Sequence, residues 1–304
     1  MERKLEKGDI PILEEVLSKC LGKKTEIISA RRMGSLTNRT YKVKTPQASY
    51  AVRIPGEGTE EMIDREAERI STKLACKLEL DAPLLYFGED GEKVTAYLRH
   101  AQTMDEQTMQ CPENIRRAAQ LLHRLHDCGR DTGVPFEVFD LAACYEREAT
   151  AHQVPMYSDY KQMKEAVLAI KQKVDRICLP QPCPCHNDPL PANWVMSEGR
   201  MYLVDWEYAG MNDPMWDLAD LSVEAGYGSV QDELLLRFYL DGEVTERVRR
   251  QFAANKIYLD YLWSIWGKAR VPYDGQPIEE YAWQRYNRMK QNIENYTLLF
   301  GGAV

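Results

Sequence analysis

The pattern of apolar residues changes near residue 100. Before that point, TYKVKT (40–45) and SYAVRIP (49–55) alternate apolar and polar side chains around the turn-like TPQA, as the strands of a β-hairpin do. EIISARRM (26–33) and VTAYLRH (94–100) are typical of further strands. The first third of the chain is therefore expected to form a small, strand-rich lobe.

Helical spacing dominates after residue 100, and one or two helices are expected before it. GEGTEEMIDREAERISTKLACKL (56–78) carries a helical pattern through Ile63, Ile70 and Leu74. NIRRAAQLLHRLHDC (114–128) places four apolar residues on one helix face, with Gly129 as a stop signal. Those four residues are Ile115, Ala118, Leu122 and Leu125.

Segments beyond residue 190 complete this picture. ANWVMSEGRMYLVDWEY (192–208) predicts a hairpin that turns at Ser197-Glu198-Gly199. PMWDLADLSVEA predicts a helix with Asp213 as N-cap, Pro214 in the first turn and Gly226 at its end. Further helices are expected at about 231–241, 244–270 and 277–298. Strands before helices predict an α+β fold of two lobes, residues 1–100 and 101–304, with a cleft between them.

Charge and hydropathy exclude several classes of protein. The net charge of −8 makes a nucleic-acid backbone an unfavourable main partner, and it suits a small cationic ligand. No run approaches the roughly 18 apolar residues of a membrane span. The N-terminal MERKLEKGDI lacks the apolar core of a signal peptide. We therefore expect a cytoplasmic protein without membrane insertion.

The eight cysteines raise the question of disulfides or a zinc site. Without a secretion signal, reduced thiols are the better interpretation. Cys183, Cys185 and His186 are close in the chain, but no second ligand pair lies at a suitable spacing. His123 and His126, three apart on a helix, could also share a metal. Packed or exposed side chains are favoured over both metal sites.

The stretch CHNDPLPANWV (185–195) carries the strongest chemical signal. It gives the pattern H-x-D-x-x-x-x-N through His186, Asp188 and Asn193, and the following hairpin ends in Asp205. Phosphoryl transfer needs a carboxylate for the hydroxyl proton, and an amide oxygen and a second carboxylate for magnesium. Asp188, Asn193 and Asp205 supply these groups in that order. The spacing predicts Asp188 and Asn193 on one wall and Asp205 opposite.

Here the sequence resembles the kinase-like small-molecule phosphotransferases, especially bacterial choline kinases of the choline/ethanolamine kinase and aminoglycoside phosphotransferase superfamily. The resemblance rests on CHNDPLPANWV and YLVDWEYAGMNDPMWDLADL, and extends more thinly over nearly the whole chain. It implies a two-lobed protein-kinase-like fold with ATP and Mg²⁺ in the cleft. The small β-rich N-lobe would bind the nucleotide, and the larger, mostly helical C-lobe would carry the catalytic and substrate-binding residues. Asp188 would be the catalytic base, and Asn193 and Asp205 the metal ligands.

The same resemblance assigns supporting roles to residues near these three. Glu207 could take part in a second metal site. His186 would support the catalytic loop rather than react. Asp217 would brace that loop from the first turn of its helix.

In the first lobe, the resemblance places a phosphate-covering loop at residues 34–38. The loop is not a G-x-G-x-x-G, so Ser35, Thr37, Asn38 and backbone amides would contact phosphate.

The nucleotide-positioning lysine of protein kinases would fall at Arg53, which keeps the charge and can fork onto two phosphate oxygens. Its helix partner resembles Glu68, with Glu66 as the rival. Backbone groups near Tyr97 to Arg99 would hold adenine.

The last third is rich in aromatic residues. Trp263 and Trp266 are three apart, so a helix puts both rings on one side. A buried helix contact is the ordinary explanation for such a pair. A quaternary ammonium, however, has no N–H to donate and is held by ring faces, each contributing roughly 0.5–2 kcal/mol.

The resemblance matches this tryptophan pair to choline-kinase pockets. It adds Tyr208, Tyr281 and Tyr286 as further rings and Glu224 as a countercharge. Choline is therefore the expected substrate and phosphocholine the expected product.

Other functions stay open on the sequence. Ethanolamine could use the same rings and Glu224, and thiamine is also a flat cation. An aminoglycoside phosphotransferase shares the loop motif but should line its acceptor site with many acids. A catalytically inactive nucleotide-binding or scaffold protein would usually have lost the base or a metal ligand, and all three are present.

Overall fold

The computed structural model describes residues 8–33, 38–56 and 63–301, and the chain divides into two compact units. Unit one comprises Met1–Met104 and Ala192–Ala209, and unit two comprises Asp105–Pro191 and Gly210–Val304. Unit one thus includes a segment from beyond residue 100 that carries Asn193 and Asp205. The assignment of lobes at 1–100 and 101–304 stays a prediction.

Unit one is built on a five-stranded antiparallel sheet in the order β1-β2-β3-β5-β4. Helix α1 packs its buried face, Leu13, Val16 and Leu17, into the same core as Tyr41 and Val52 of the sheet. The alternating segments of the sequence thus form the expected strands, because one face of each meets this core. The bounds are α1 Asp9–Leu21, β1 Ser29–Arg32, β2 Arg39–Lys44, β3 Ser49–Ile54, β4 Leu84–Phe87 and β5 Lys93–Ala96.

The helix expected at 56–78 is shorter and turns a different face inward. Helix α2 spans Arg65–Lys77, and the Asp64 carboxylate caps it by accepting from the backbone N–H groups of Glu66 and Ala67. Its buried residues are Glu68, Ser71, Thr72 and Ala75, whereas Ile70 is exposed. The apolar pattern was misleading because this helix buries a polar face, with Glu68 bound by arginines.

A second, three-stranded sheet in unit one has the order β6-β8-β9, formed by Gln102–Thr103, Trp194–Ser197 and Arg200–Leu203. The predicted hairpin of β8 and β9 turns at Glu198 and Gly199, both with positive φ (50° and 81°). A tight turn with positive φ at both central residues matches the twist of the strands, and glycine adopts it without strain. The hairpin is thereby set in register, with Trp194 opposite Leu203.

Unit two is mostly helical. Helix α4 buries Ile115, Ala118, Leu122 and Leu125, the face expected from the sequence. Asp213 caps helix α7 as predicted, because its carboxylate accepts from the backbone N–H of Met215 at 2.9 Å. The helices are α3 Glu106–Met109, α4 Pro112–His126, α5 Val138–Ala151, α6 Tyr160–Ile177, α7 Pro214–Glu224, α8 Ser229–Leu240, α9 Glu246–Asp274 and α10 Gln276–Phe300, and an antiparallel pair of strands is formed by β7 Cys183–Cys185 and β10 Gly210–Asn212.

The mixed α+β class predicted from the sequence is confirmed by these elements. Within residues 8–33, 38–56 and 63–301, no helix is both long and apolar enough to cross a membrane.

Candidate active site

The loop that follows β7 is held by a single carboxylate. Asp217, in the first turn of α7, accepts from the backbone N–H of His186 at 2.8 Å and from that of Asn187 at 2.7 Å. All three residues are fully buried. We call this arrangement the backbone clamp. It fixes the main chain directly before Asp188, as expected for a residue that braces the loop.

Further partners orient the backbone clamp. His126, at the end of α4, lies 3.0 Å from Asp217 through Nε2 and 2.9 Å from the Tyr239 hydroxyl through Nδ1. These partners favour the tautomer that donates from Nε2, with Nδ1 accepting from Tyr239. His123 is exposed while His126 is buried, so the two do not face one metal site. Sequence reasoning missed this role, although position 126 follows buried Leu122 by one helical turn.

Asn187 is held in a left-handed backbone conformation, with φ +67°. Its carbonyl oxygen accepts from the Trp216 indole N–H at 3.1 Å, and its side-chain oxygen accepts from the Asn212 amide at 2.9 Å. These contacts stabilise a conformation that asparagine tolerates better than most residues. Asn187 was not singled out from the sequence.

Asp188 is half-buried, and its backbone N–H donates to Nδ1 of His186 at 3.3 Å. The His186 ring therefore contacts the loop itself. Cys183 and Cys185 have their sulfur atoms 3.8 Å apart, and all eight cysteines are free thiols. Cys185 could meet a metal together with His126 and Asp217. The clamp already occupies the Asp217 oxygens, so zinc binding there is disfavoured.

The two predicted metal ligands lie in unit one, at the same end of the β8–β9 hairpin. The backbone N–H of Val204 donates to the carbonyl oxygen of Asn193 at 2.9 Å, which places Asp205 directly after this pairing. Asp205 has a left-handed backbone, with φ +73°. The expectation that Asn193 and Asp205 lie on opposite walls is therefore wrong. Antiparallel pairing of β8 and β9 brings the two residues to one hairpin end.

Asp205 belongs to a group of two arginines and three carboxylates, which we call the arginine–carboxylate cluster. Arg53 binds Glu68 through its two terminal guanidinium nitrogens, Nη1 at 2.5 Å and Nη2 at 2.9 Å. Arg65 bridges Glu68 at 2.9 Å and Glu207 at 2.7 Å. The helix partner of Arg53 is thus Glu68, while Glu66 pairs with Arg69 at the surface. The cluster comprises Arg53, Arg65, Glu68, Asp205 and Glu207.

The pKa values within this cluster follow from burial and from neighbouring charges. Burial pushes the pKa of Glu68 upward, but the attraction of Arg53 and Lys93 outweighs it and leaves the pKa lowered. Burial and the charge of Asp205 raise the pKa of Glu207. Burial also raises the pKa of nearby Asp81 to about 6. The protonation of these carboxyl groups in unit one therefore depends on their burial and on the charges around them.

The chemistry of this donor set fits a magnesium ion. Carboxylate oxygens of Glu68, Asp205 and Glu207 lie within 4.8 Å of one another. Oδ1 of Asp205 is buried and accepts no hydrogen bond from the described residues, although Arg53 lies 3.5 Å from it. Mg²⁺ prefers such hard oxygen ligands. Carboxylate oxygens of Glu68 and Glu207 already accept hydrogen bonds from arginines. Asp205 is therefore the best placed of the three to bind the ion.

The nucleotide residues predicted in the first lobe are described only in part. Ser35 and Thr37 lie outside the described residues. Asn38 is buried, and its side-chain oxygen accepts from the backbone N–H of Gly56 at 3.3 Å. Its contact with phosphate stays a prediction, as does adenine binding by the backbone of Tyr97 to Arg99.

An aromatic cluster in unit two contains the tryptophan pair. Trp263 and Trp266 of α9 meet edge-to-face, with ring centroids 5.8 Å apart, and Trp266 meets Tyr281 of α10 at 6.0 Å. The Arg285 guanidinium lies 4.9 Å from the Tyr281 ring centroid. Sequence reasoning missed Arg285. Arg285 is important for ligand binding because its positive charge already occupies one face of the aromatic cluster.

Two other residues of the predicted acceptor site are placed differently. Glu224 forms an ion pair with Arg285, so it is not the free countercharge that the sequence suggested. Tyr286 is buried in a separate stack on Tyr157, at 3.6 Å between centroids, and its hydroxyl donates to Asp159 at 2.8 Å. Tyr208 is half-buried in a turn of unit one, and its substrate contact stays a prediction.

Burial raises the pKa of Tyr281, and the negative charges of Glu224, Asp188 and Asp220 raise it further against the opposing effect of Arg285. The Tyr281 phenol thus lies within electrostatic range of Asp188. Asp188, several other carboxylates and an aromatic cluster are therefore grouped in unit two.

Several known proteins are similar to this chain in sequence and fold. The model of the phosphotransferase enzyme family matches residues 29–253. The crystal structure of choline kinase LicA from Streptococcus pneumoniae is 30% identical, with a TM-score of 0.80, and the match covers 94% of this chain and 99% of that one. A choline/ethanolamine kinase family protein from Mesorhizobium loti is 31% identical, with a TM-score of 0.78 and 88% of each chain covered. A LicA crystallised in complex with AMP is 29% identical, with a TM-score of 0.79, covering 94% of this chain and 98% of that one.

Proposed function

Because the chain belongs to the phosphotransferase enzyme family and is a small-molecule kinase, we propose that it transfers the γ-phosphoryl group of ATP to the hydroxyl of choline. The products are phosphocholine and ADP. The observation that carries the choice of acceptor is the cluster of Trp263, Trp266 and Tyr281, grouped in one unit with Asp188 and other carboxylates. Ring faces and carboxylates together suit a quaternary ammonium alcohol.

Asp188 acts as the general base in this proposal. Its carboxylate accepts the proton of the acceptor hydroxyl as the hydroxyl oxygen attacks the γ-phosphorus and the bond to the ADP oxygen breaks. The backbone clamp supports this role, because it holds the main chain before Asp188 through two short N–H donors to Asp217. A fixed base costs less to align in the transition state.

The nucleotide and metal residues of the proposal belong to unit one. Asn193 and Asp205 would hold Mg²⁺, with Glu207 contributing to a second ion. Mg²⁺ supplies positive charge that offsets the charge of the transferring phosphoryl group. Arg53, held by Glu68, would bind phosphate oxygens, with Ser35, Thr37 and Asn38 as further phosphate contacts. The AMP complex of a related LicA supports nucleotide use.

The proposal is tested by coupled ATP turnover with Mg²⁺ against choline, ethanolamine, thiamine and an aminoglycoside. We expect the highest kcat/KM with choline. Turnover of ethanolamine or thiamine with choline inert would leave the kinase assignment intact and overturn the choice of acceptor. An absence of turnover with all four acceptors would contradict both.

Two matched variants test the aromatic cluster. Trp266→Leu keeps apolar bulk but removes a ring face, and should raise the KM for choline by about 2–30-fold, the equivalent of roughly 0.5–2 kcal/mol. Trp283→Leu is the control, because Trp283 is 55% exposed and belongs to the separate stack of Tyr157 and Tyr286. Equal effects of the two variants on KM would contradict the assignment.

A further inference from the structure

Asp220 of α7 is a buried carboxylate that the assigned roles do not use. Its exposed fraction is 1%, and its Oδ2 accepts no hydrogen bond from residues 8–33, 38–56 or 63–301. A carboxylate buried in this way costs free energy unless a partner compensates it. The fold therefore holds an acceptor oxygen for which these residues supply no donor.

The neighbouring carboxylates are already neutralised. Arg285 is buried, binds Glu224, and donates to Asp260 at 3.2 Å. Arg288 forks onto Asp260 at 2.8 and 2.7 Å. The negative charges of Glu224 and Asp260 are thus neutralised by arginines within the protein. Neither is well placed to bind a second cation, because that cation would compete with a buried guanidinium.

Asp220 lies close to the proposed reaction centre. It follows Asp217 by three residues on α7, which places the two side chains on neighbouring positions of one helix face. Asp217 holds the backbone before Asp188, and Glu224, four residues after Asp220, binds Arg285, whose guanidinium lies 4.9 Å from the Tyr281 ring centroid. Asp220 is therefore near both the base and a ring of the aromatic cluster.

We propose that Asp220, and not Glu224, is the carboxylate that recognises the positive charge of the acceptor alcohol. This inference rests on the proposed function, since it specifies how that same site selects a cation. A quaternary ammonium needs no hydrogen-bond acceptor, only a negative charge at short range. The unpartnered Oδ2 supplies one on α7, between the positions of Asp217 and Glu224.

The electrostatics of Asp220 agree with this role. Burial and the charges of Glu224 and Asp188 raise its pKa well above the ordinary value, with Arg285 opposing them and Asp217 adding to them. These effects shift Asp220 towards its protonated form. A bound cation stabilises the carboxylate form and releases its proton, so binding of a cation is preferred over binding of a neutral alcohol of the same shape.

The test compares choline with 3,3-dimethyl-1-butanol, in which carbon replaces the charged nitrogen. The ratio of kcat/KM for choline to kcat/KM for this neutral alcohol measures recognition of charge. Asp220→Asn keeps the shape of the side chain and should lower the ratio by about tenfold or more, through a higher KM for choline. Glu224→Gln should change the ratio by about threefold or less, since Arg285 already neutralises Glu224.

Each outcome decides the inference. A ratio that is retained in Asp220→Asn, or that collapses in Glu224→Gln alone, would overturn the role of Asp220 while wild-type choline turnover still supports the proposed function. A wild-type protein that does not phosphorylate choline would overturn both. Thermal unfolding checks that each variant is folded, and Asp220→Ser is measured in the same way if Asp220→Asn does not fold.

Discussion

The backbone clamp in unit two and the arginine–carboxylate cluster in unit one fix their residues by different means. In the clamp, one carboxylate accepts from two backbone N–H groups and a histidine. In the cluster, Arg53 and Arg65 share Glu68 and Glu207, with Asp205 beside them. The clamp depends on hydrogen-bond geometry, whereas the cluster depends on a balance of charges.

The clamp and the cluster should therefore respond to different disturbances. A short hydrogen bond to the main chain fixes position and changes little with ionic strength or with the protonation of distant groups. A buried set of charges responds whenever one of its members is removed or neutralised.

Asp188→Asn separates the chemistry from the clamp that positions it. The clamp uses the backbone before Asp188, so the variant should fold with an unchanged free energy of unfolding. The loss of a general base should lower kcat by about 10²–10⁴-fold. Steady-state kinetics with choline and urea unfolding measure the two quantities. A kcat within about tenfold of the wild type would exclude Asp188 as the base.

Arg53→Ala tests whether the cluster is a balance of buried charges. It leaves Glu68, which is fully buried, without its main partner, and should cost about 3–5 kcal/mol of unfolding free energy. Arg69→Ala is the matched control, because the Arg69–Glu66 pair is exposed and should contribute about 0–1 kcal/mol. Urea unfolding of both variants is the measurement. Similar losses in the two would show that the cluster behaves as a surface pair.

Asp217→Asn weakens the clamp without changing its shape. The amide keeps one acceptor oxygen but turns a second acceptor into a donor that faces N–H groups. One buried backbone N–H then lacks a partner, at a cost of about 1–3 kcal/mol. Urea unfolding should show this loss, and kcat should fall because the main chain before Asp188 is less well held. An unchanged stability with normal kcat would show that the loop is fixed by other contacts.

Asp81→Asn sharpens the contrast in pH dependence. The folded protein raises the pKa of Asp81 from 3.8 to about 6, chiefly through burial, so the folded state holds this proton more tightly than the unfolded state. The stability contributed by the neutral acid is therefore full below about pH 4 and is lost as the pH rises to about 6.

Asparagine cannot ionise, so the stability of the variant relative to the wild type should increase between about pH 4 and pH 6. The gain should level off above pH 6 at about 1–2 kcal/mol, which is below the full equivalent of the shift because the new amide must itself be accommodated. Urea unfolding at pH 4, 5, 6 and 7 measures the gap. A gap that does not vary with pH would contradict the raised pKa.

The parts of this site that the sequence predicted are those encoded locally. The H-x-D-x-x-x-x-N pattern and the apolar face of α4 each lie within one short segment, where spacing alone carries the information. The resemblance to choline kinases added the contact of Arg53 with Glu68. The roles of Asp188, Asn193 and Asp205 in catalysis stay predictions.

The parts that were missed depend on residues far apart in the chain. Arg285 neutralises Glu224 from another helix, and nothing near either residue in the sequence indicates the pair. Ile70 of α2 was expected to face inward, yet Glu68 is buried instead because arginines compensate its charge. Hydropathy cannot report such compensation, since it scores each residue without its partners.

The left-handed backbone at Asn187 and Asp205 has a consequence for how this protein can change over evolutionary time. Asn187 directly precedes the proposed base, and Asp205 is itself a proposed metal ligand. Both adopt positive φ, where a glycine would relieve backbone strain. At Asp205, a substitution by glycine would remove the carboxylate. A chain selected for stability alone would tend to replace such residues, and a chain that must keep the carboxylate accepts a less stable fold there.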